Sequence, residues 1–281
     1  MKSLARIKAP HTRTEVCIPV PAFDPQHQQP GTWLQPPHWA GQTVLVICGA
    51  GDNRLSFKWL LFTKLLANNI AVFTVDPPGH GDFMGVPTTV ATAQHAATAA
   101  ANWLHAQPGV RRVGLIGISF GGNQGAWLMA QDERIAALTL VASPIKLASV
   151  TQKVIAREAI NLLWPRNVMI LRTMSPRALW TEWKSIKGAL YGESLYDMID
   201  AFDMLNTVRK IGARPTLFVH GSRDVAIPVN NAMQLHAAAL PDKDLVIVPQ
   251  ATHLTVVMRD KPMQRVADWM SEKLANDSLN G

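Results

Sequence analysis

The sequence predicts an α/β fold: a mostly parallel central β-sheet flanked by helices, interrupted by an inserted helical cap. Three observations predict it. Short apolar runs recur along the chain, several of them stopped by Gly, Pro or Asp. Segments with apolar residues at helical spacing separate them. The alternation breaks after Ser143-Pro144 and resumes at Thr216. Strands alternating with helices imply βαβ crossovers, and hence a parallel sheet.

Residues 1–42 are read as an irregular or edge-hairpin segment outside the core, because 19–40 are rich in Pro and Gln. Thr43 to Cys48 is a continuous apolar run that ends at Gly49-Ala50-Gly51, as suits a strand buried on both faces. Leu55, Trp59, Phe62, Leu65 and Leu66 then predict a helix over 55–68. A second strand follows at 70–75, ending at Asp76-Pro77-Pro78-Gly79, and an Ala-rich helix at 88–106. The pattern continues with a strand at 113–118, a helix at 121–131 and a strand at 137–141. After the break come a strand at 216–220, a helix at 229–239, a strand at 245–248 and a last helix near 260–275. This gives a core of 43–144 and 211–281, with 145–210 as a helical insertion.

Composition narrows the classes. The chain has 281 residues, 48% of them hydrophobic and 17% charged, which excludes global disorder. Its two cysteines, Cys17 and Cys48, form no disulfide framework and no zinc pattern; free thiols in a reducing cytoplasm are the simpler reading. Met1 to Pro10 has no apolar run of signal-peptide length, and no stretch approaches 18 uninterrupted apolar residues, so no membrane span is expected. The net charge of +7 invites acidic partners, but Lys and Arg cluster no further than the pairs Arg111-Arg112 and Arg209-Lys210. No nucleic-acid partner is expected. Gly-x-Gly-x-x-Gly is absent from the early strand–helix turns, and neither metal nor organic cofactor is implied.

The chemistry starts at Gly117-Ile118-Ser119-Phe120-Gly121-Gly122, which leaves a strand and opens a helix. Gly-x-Ser-x-Gly in this setting is a nucleophile elbow. The turn is so tight that Ser119 takes a strained conformation and larger residues at 117 or 121 would collide. The hydroxyl then projects at the C-terminal edge of the sheet, near the positive end of the next helix.

On this motif, and on Asp76-Pro77-Pro78-Gly79-His80-Gly81, the chain resembles the α/β-hydrolase family from about residue 43 to the end. The resemblance implies a chain order of Ser, acid, His. His253, in the loop after the last strand, matches the base; it is the only histidine beyond His236, which lies in a predicted helix. Asp224, in His220-Gly221-Ser222-Arg223-Asp224, matches the acid that holds the imidazole tautomer. The alternative acid position, one strand earlier, reads Ala142-Ser143-Pro144 and offers no carboxylate. Asp242 and Asp244 fall at the far end of the sheet. His80, His220 and Arg223 are assigned structural roles.

The resemblance also implies an oxyanion hole of backbone N–H groups, one from Phe120 and a second from the loop after residue 48. The family's usual His-Gly there is Cys48-Gly49 in this chain. Alignment gives Ala50 as the donor, with Gly51 as the alternative. Cys48 itself is read as a buried small residue.

Residues 146–210 hold ten Lys+Arg and six Asp+Glu, and carry Trp164, Trp180, Trp183 and several Met. As a cap they would line an apolar acyl or alcohol pocket. The leading expectation is a cytoplasmic serine hydrolase that cleaves a small-molecule carboxylic ester through an acyl-enzyme. The basic excess raises an alternative, a thioesterase or acyltransferase serving an acidic carrier protein. Amide and carbon–carbon hydrolysis occur with the same triad in the family, and a non-catalytic ligand-binding member is the remaining reading. Oligomeric state is left open.

Overall fold

A computed structural model of the chain describes residues 7–56, 58–146, 176, 180–181, 183–185 and 193–275. The expected helical insertion at 145–210 falls largely outside these residues. Its described parts include two short helices, α4 (Leu195–Ala201) and α5 (Met204–Lys210).

The described residues form an eight-stranded sheet in the order β1-β2-β4-β3-β5-β6-β7-β8. Its strands are β1 (Thr12–Ile18), β2 (Gln29–Gln35), β3 (Gln42–Ile47), β4 (Ala71–Val75), β5 (Arg112–Ile118), β6 (Ile135–Val141), β7 (Thr216–Gly221) and β8 (Lys243–Val248). From β4 to β8 every pairing is parallel; β1–β2 and β2–β4 are antiparallel. The parallel core follows from sequence because both faces of β3, β4 and β6 are buried, and both must therefore be apolar.

Successive side chains alternate between the two faces. Leu45, Ile47 and Phe73 point into one apolar layer, Val44, Val46 and Val72 into the other. The first layer is closed by α2 (Val90–His105) and α3 (Phe120–Gln131), with α5 and α6 (Asn230–Ala238) beside them. The second is closed by α1 (Trp59–Ala67) and α7 (Asp260–Ala275). In α7 the apolar stripe is Met263, Val266, Ala267, Met270 and Leu274, a spacing that keeps one face on the sheet. Each large side chain of that stripe contributes about 1.5–3 kcal/mol by leaving water. The buried face of α2 consists mainly of alanines, so this helix can lie close to the sheet. Its start is fixed by a capping box between Thr89 and Thr92.

Within the segment expected to be irregular or an edge hairpin, β1 and β2 pair antiparallel at one edge of the sheet; Trp33 and Leu34 of β2 are nevertheless buried and join the core. Gly31 is needed there because a Cβ would sit 2.9 Å from the Phe73 ring. The helix expected from residue 55 starts at Trp59. The preceding residues are drawn into a turn instead: the Asn53 side chain accepts the Leu55 N–H at 2.9 Å, and the Asn53 carbonyl accepts the Ser56 N–H at 3.3 Å.

Candidate active site

Ser119 is the single residue between β5 and α3, with φ 53° and ψ −127°. An L-residue holds such a conformation only when its surroundings fix it. Here the glycines do so. A Cβ at Gly117 would overlap the Gly121 carbonyl and the Gly122 backbone; one at Gly121 would overlap the carbonyls of Ile47 and Cys48. The Ser119 N–H donates to the Val141 carbonyl at 2.8 Å, and the Ser119 carbonyl accepts the Gly122 N–H at 2.8 Å. The hydroxyl is left half-buried at the C-terminal edge of the sheet, beside the N-terminus of α3.

His253 and Asp224 reach the same point from the ends of β8 and β7. The Ser119 hydroxyl lies 3.0 Å from His253 Nε2, and His253 Nδ1 lies 2.8 Å from Asp224 Oδ2. A carboxylate can only accept, so Nδ1 carries the proton and the Nε2 lone pair faces the hydroxyl. The two loops are locked together. The Ala251 carbonyl accepts the Arg223 N–H at 2.9 Å, and Gly221 packs so tightly under Ala251 that a Cβ would overlap its carbonyl. Thr255 Oγ1 accepts the Thr252 N–H at 2.9 Å and shapes the backbone next to His253.

Asp224 is buried, which pushes its carboxyl upward. Hydrogen bonds from His220 and His253, the His253 charge and the Ile227 N–H outweigh burial and hold it at about 2. Its Oδ1 accepts the N–H groups of Ala226 and Ile227 at 3.0 and 2.8 Å.

The loop after β3 passes against the nucleophile: a Cβ at Gly49 would lie 2.9 Å from Ser119 Cβ and 3.5 Å from its Oγ. Residues Gly49–Asp52 form a turn closed by the Asp52 N–H on the Gly49 carbonyl at 3.2 Å, with Gly51 at φ +77°. That positive φ at the third turn position requires glycine. The Gly51 N–H is already taken by His80 Nε2 at 2.9 Å. The Ala50 N–H makes no hydrogen bond among the described residues. The N–H of Phe120, first residue of α3, has no intrahelical acceptor.

Two buried cations, Lys58 and Arg54, brace this loop through ion pairs. Lys58 Nζ donates to both Asp52 carboxylate oxygens at 2.9 and 2.8 Å, to the Asn53 carbonyl and to Ser56 Oγ. The Arg54 guanidinium pairs with Asp76 and, at 2.9 Å, with Asp82. Cys48, where the family usually has histidine, is fully buried and its thiol is pushed up to about 12 by burial. Among the described residues no group of three or more His, Cys, Asp or Glu converges as a metal ion needs.

The structure thus brings together Ser119, His253 and Asp224; Phe120 follows the serine directly, and Ala50 follows Gly49, which packs on Ser119. Asp242 and Asp244 are engaged elsewhere, with Lys273 and the Trp269 indole. Sequence reasoning missed two contacts. His80 reaches Gly51, and His220 Nε2 lies 3.3 Å from Asp224 Oδ2. The motif spacing Asp-x-x-Gly-His-Gly held the first signal, but nothing local names its partner 29 residues away.

Residues 44–269 match the model of the alpha/beta hydrolase family, and the chain belongs to that family. Hydrolysis is the activity class that membership supports. The chain is similar to an uncharacterised protein, YfhR, of Salmonella typhi: 23% identity over 219 residues, 78% of this chain and 66% of that protein. Among solved structures it is similar to an esterase of Pyrococcus furiosus (TM-score 0.67, 17% identity, covering 94% of this chain and 92% of the other). It is also similar to the alpha/beta hydrolase GrgF from a Penicillium species (TM-score 0.69, 19% identity, covering 94% and 100%). At these identities the likeness carries the fold. No helix among the described residues is long and apolar enough to cross a membrane.

Proposed function

We propose that this chain is a serine hydrolase that cleaves a carboxylic ester through an acyl-enzyme. The observation that carries the reading is the continuous hydrogen-bond chain from the Ser119 hydroxyl through His253 to Asp224. In the reaction, Ser119 Oγ attacks the ester carbonyl as its proton passes to His253 Nε2. The resulting imidazolium is stabilised by Asp224, whose carboxyl titrates far too low to take the proton itself. The N–H groups of Phe120 and Ala50 bind the developing oxyanion. His253 then protonates the departing alcohol. Water, deprotonated by His253, attacks the acyl-enzyme; as the Ser119 Oγ–acyl bond breaks, His253 returns the proton to Oγ and the acid is released.

Residues 145–210 are proposed as a cap that lines the acyl or alcohol pocket. The free Cys17 and Cys48 fit a reducing compartment. The test is a fluorophosphonate probe with p-nitrophenyl esters from acetate to palmitate, alongside acyl-thioesters. Stoichiometric labelling of Ser119 should abolish turnover. A Ser119→Ala variant with full activity would overturn the assignment. Higher kcat/KM on thioesters would move the substrate class to the acyl-carrier reading.

A further inference from the structure

We propose that His80 is a positioning residue for the oxyanion loop, and that it links that loop to the inserted helical segment. The proposal rests on the serine hydrolase reading above and concerns a residue that touches neither nucleophile nor base.

His80 is buried, and its ring is held at both nitrogens. Nδ1 lies 2.7 Å from the Pro78 carbonyl, and Nε2 lies 2.9 Å from the Gly51 nitrogen. A carbonyl can only accept and an amide N–H can only donate. The ring is therefore neutral, with its proton on Nδ1 and its Nε2 lone pair on the Gly51 N–H. Burial lowers the pKa of His80 and favours the same neutral form.

The consequence falls on the turn Gly49–Asp52. Its central peptide joins Ala50 to Gly51, and this is the peptide that rotates when a turn changes type. His80 grips that peptide by its N–H and holds Gly51 at φ +77°. It also removes the Gly51 N–H from competition, which leaves Ala50 as the donor this loop can offer to an oxyanion. Because Gly49 packs directly on Ser119, any change in the turn is felt at the nucleophile.

The neighbouring residue carries the link outward. The Gly81 N–H donates to Ser185 Oγ at 2.9 Å, and the Ser185 hydroxyl donates to the Thr181 carbonyl at 2.9 Å. Lys184 pairs with Asp82 at 3.2 Å. Gly81 stands at φ +58°, and a Cβ there would overlap the Asp76 carboxylate, which itself holds Arg54. One short loop, Pro78 to Asp82, is thus fixed to the inserted segment on one side and to the oxyanion turn on the other.

The test compares His80→Leu, His80→Gln and Ser185→Ala with the wild type. The readouts are p-nitrophenyl acetate turnover, inhibition by phenylboronic acid and fluorophosphonate labelling of Ser119. His80→Leu removes the acceptor and should lower kcat about 10- to 100-fold, less than loss of an oxyanion donor outright. It should weaken boronate binding, which mimics the tetrahedral intermediate, by a similar factor, while KM changes little. His80→Gln restores an acceptor at the reach of Nε2 and should recover most of both. Ser185→Ala should move both in the same direction by a smaller factor. If His80→Leu does not fold, Ser185→Ala and His80→Gln decide: wild-type boronate affinity in Ser185→Ala with an inactive His80→Gln overturns the link. A folded His80→Leu with wild-type kcat and boronate affinity overturns the positioning role. Wild-type enzyme that neither labels at Ser119 nor turns over any ester removes the underlying reading, a distinct failure.

Discussion

His220 and His253 approach the same oxygen of Asp224. His253 Nδ1 is 2.8 Å from Oδ2 and His220 Nε2 is 3.3 Å from it. The same His220 nitrogen lies 2.8 Å from the Ile227 carbonyl, so it carries the proton and divides it between the two acceptors. His220 therefore closes the turn that presents Asp224. His220→Leu should lower kcat about 10-fold and cost about 1–3 kcal/mol of stability, as expected when a buried acceptor loses its donor. His220→Gln, which keeps an N–H at that reach, should recover most of both. Steady-state kinetics with urea unfolding of each variant provide the check.

The Asp224 carboxyl also sets an acid limit to stability. Its pKa is lowered from 3.8 to about 2 in the folded chain. The unfolded chain therefore binds more protons between those values, and stability rises with pH across that window. The contribution is complete above about pH 4 and lost as pH falls towards 2; at its full extent it is roughly 2 kcal/mol. Urea midpoints measured from pH 5 to 2 should fall less steeply in Asp224→Asn than in the wild type. At pH 7 the same variant should lose about 10⁴-fold in kcat, because an amide no longer favours the required imidazole tautomer.

What could be read from sequence follows from how local each signal is. The elbow at Gly117–Gly121 was legible because each glycine answers a clash with backbone a few residues away or at the end of β3. Strands β3 to β7 were legible because burial on both faces demands unbroken apolar runs. Strand β2 was legible only as part of an irregular or edge-hairpin segment, because residues 19–40 are rich in Pro and Gln. Pro30 still offers its carbonyl to the Asp76 N–H, at 3.0 Å, at the end of β4, and Gly31 makes room for Phe73. That the Gly51 N–H is engaged could not be read from spacing, since its acceptor, His80, comes from another loop.

The two cysteines should differ in reactivity. Cys17 is exposed on β1, whereas Cys48 is fully buried with its thiol pushed up to about 12. The thiolate is the reactive form, so Cys48 should be inert at pH 8. A disulfide exchange reagent should titrate one thiol in the native protein and two after unfolding in guanidinium. Fast labelling of two thiols in the native state would contradict the burial of Cys48.

Substitution at Gly121 tests how firmly the elbow depends on its backbone packing. A Cβ there meets the carbonyls of Ile47 and Cys48, which are backbone atoms of a central strand and the loop beside it. Neither can rotate away as a side chain would. Relief requires α3 to withdraw from β3, and that displaces Phe120 and Ser119 together. Gly121→Ala should therefore cost about 3 kcal/mol or more, at the upper end for overpacking, and lose fluorophosphonate labelling of Ser119 even in the folded fraction. At Gly125, also in α3, the atom in the way belongs to the Leu115 side chain. That end can adjust, so Gly125→Ala should cost less and keep Ser119 reactive. Thermal unfolding and labelling rates measured on the two variants distinguish backbone overlap from side-chain crowding.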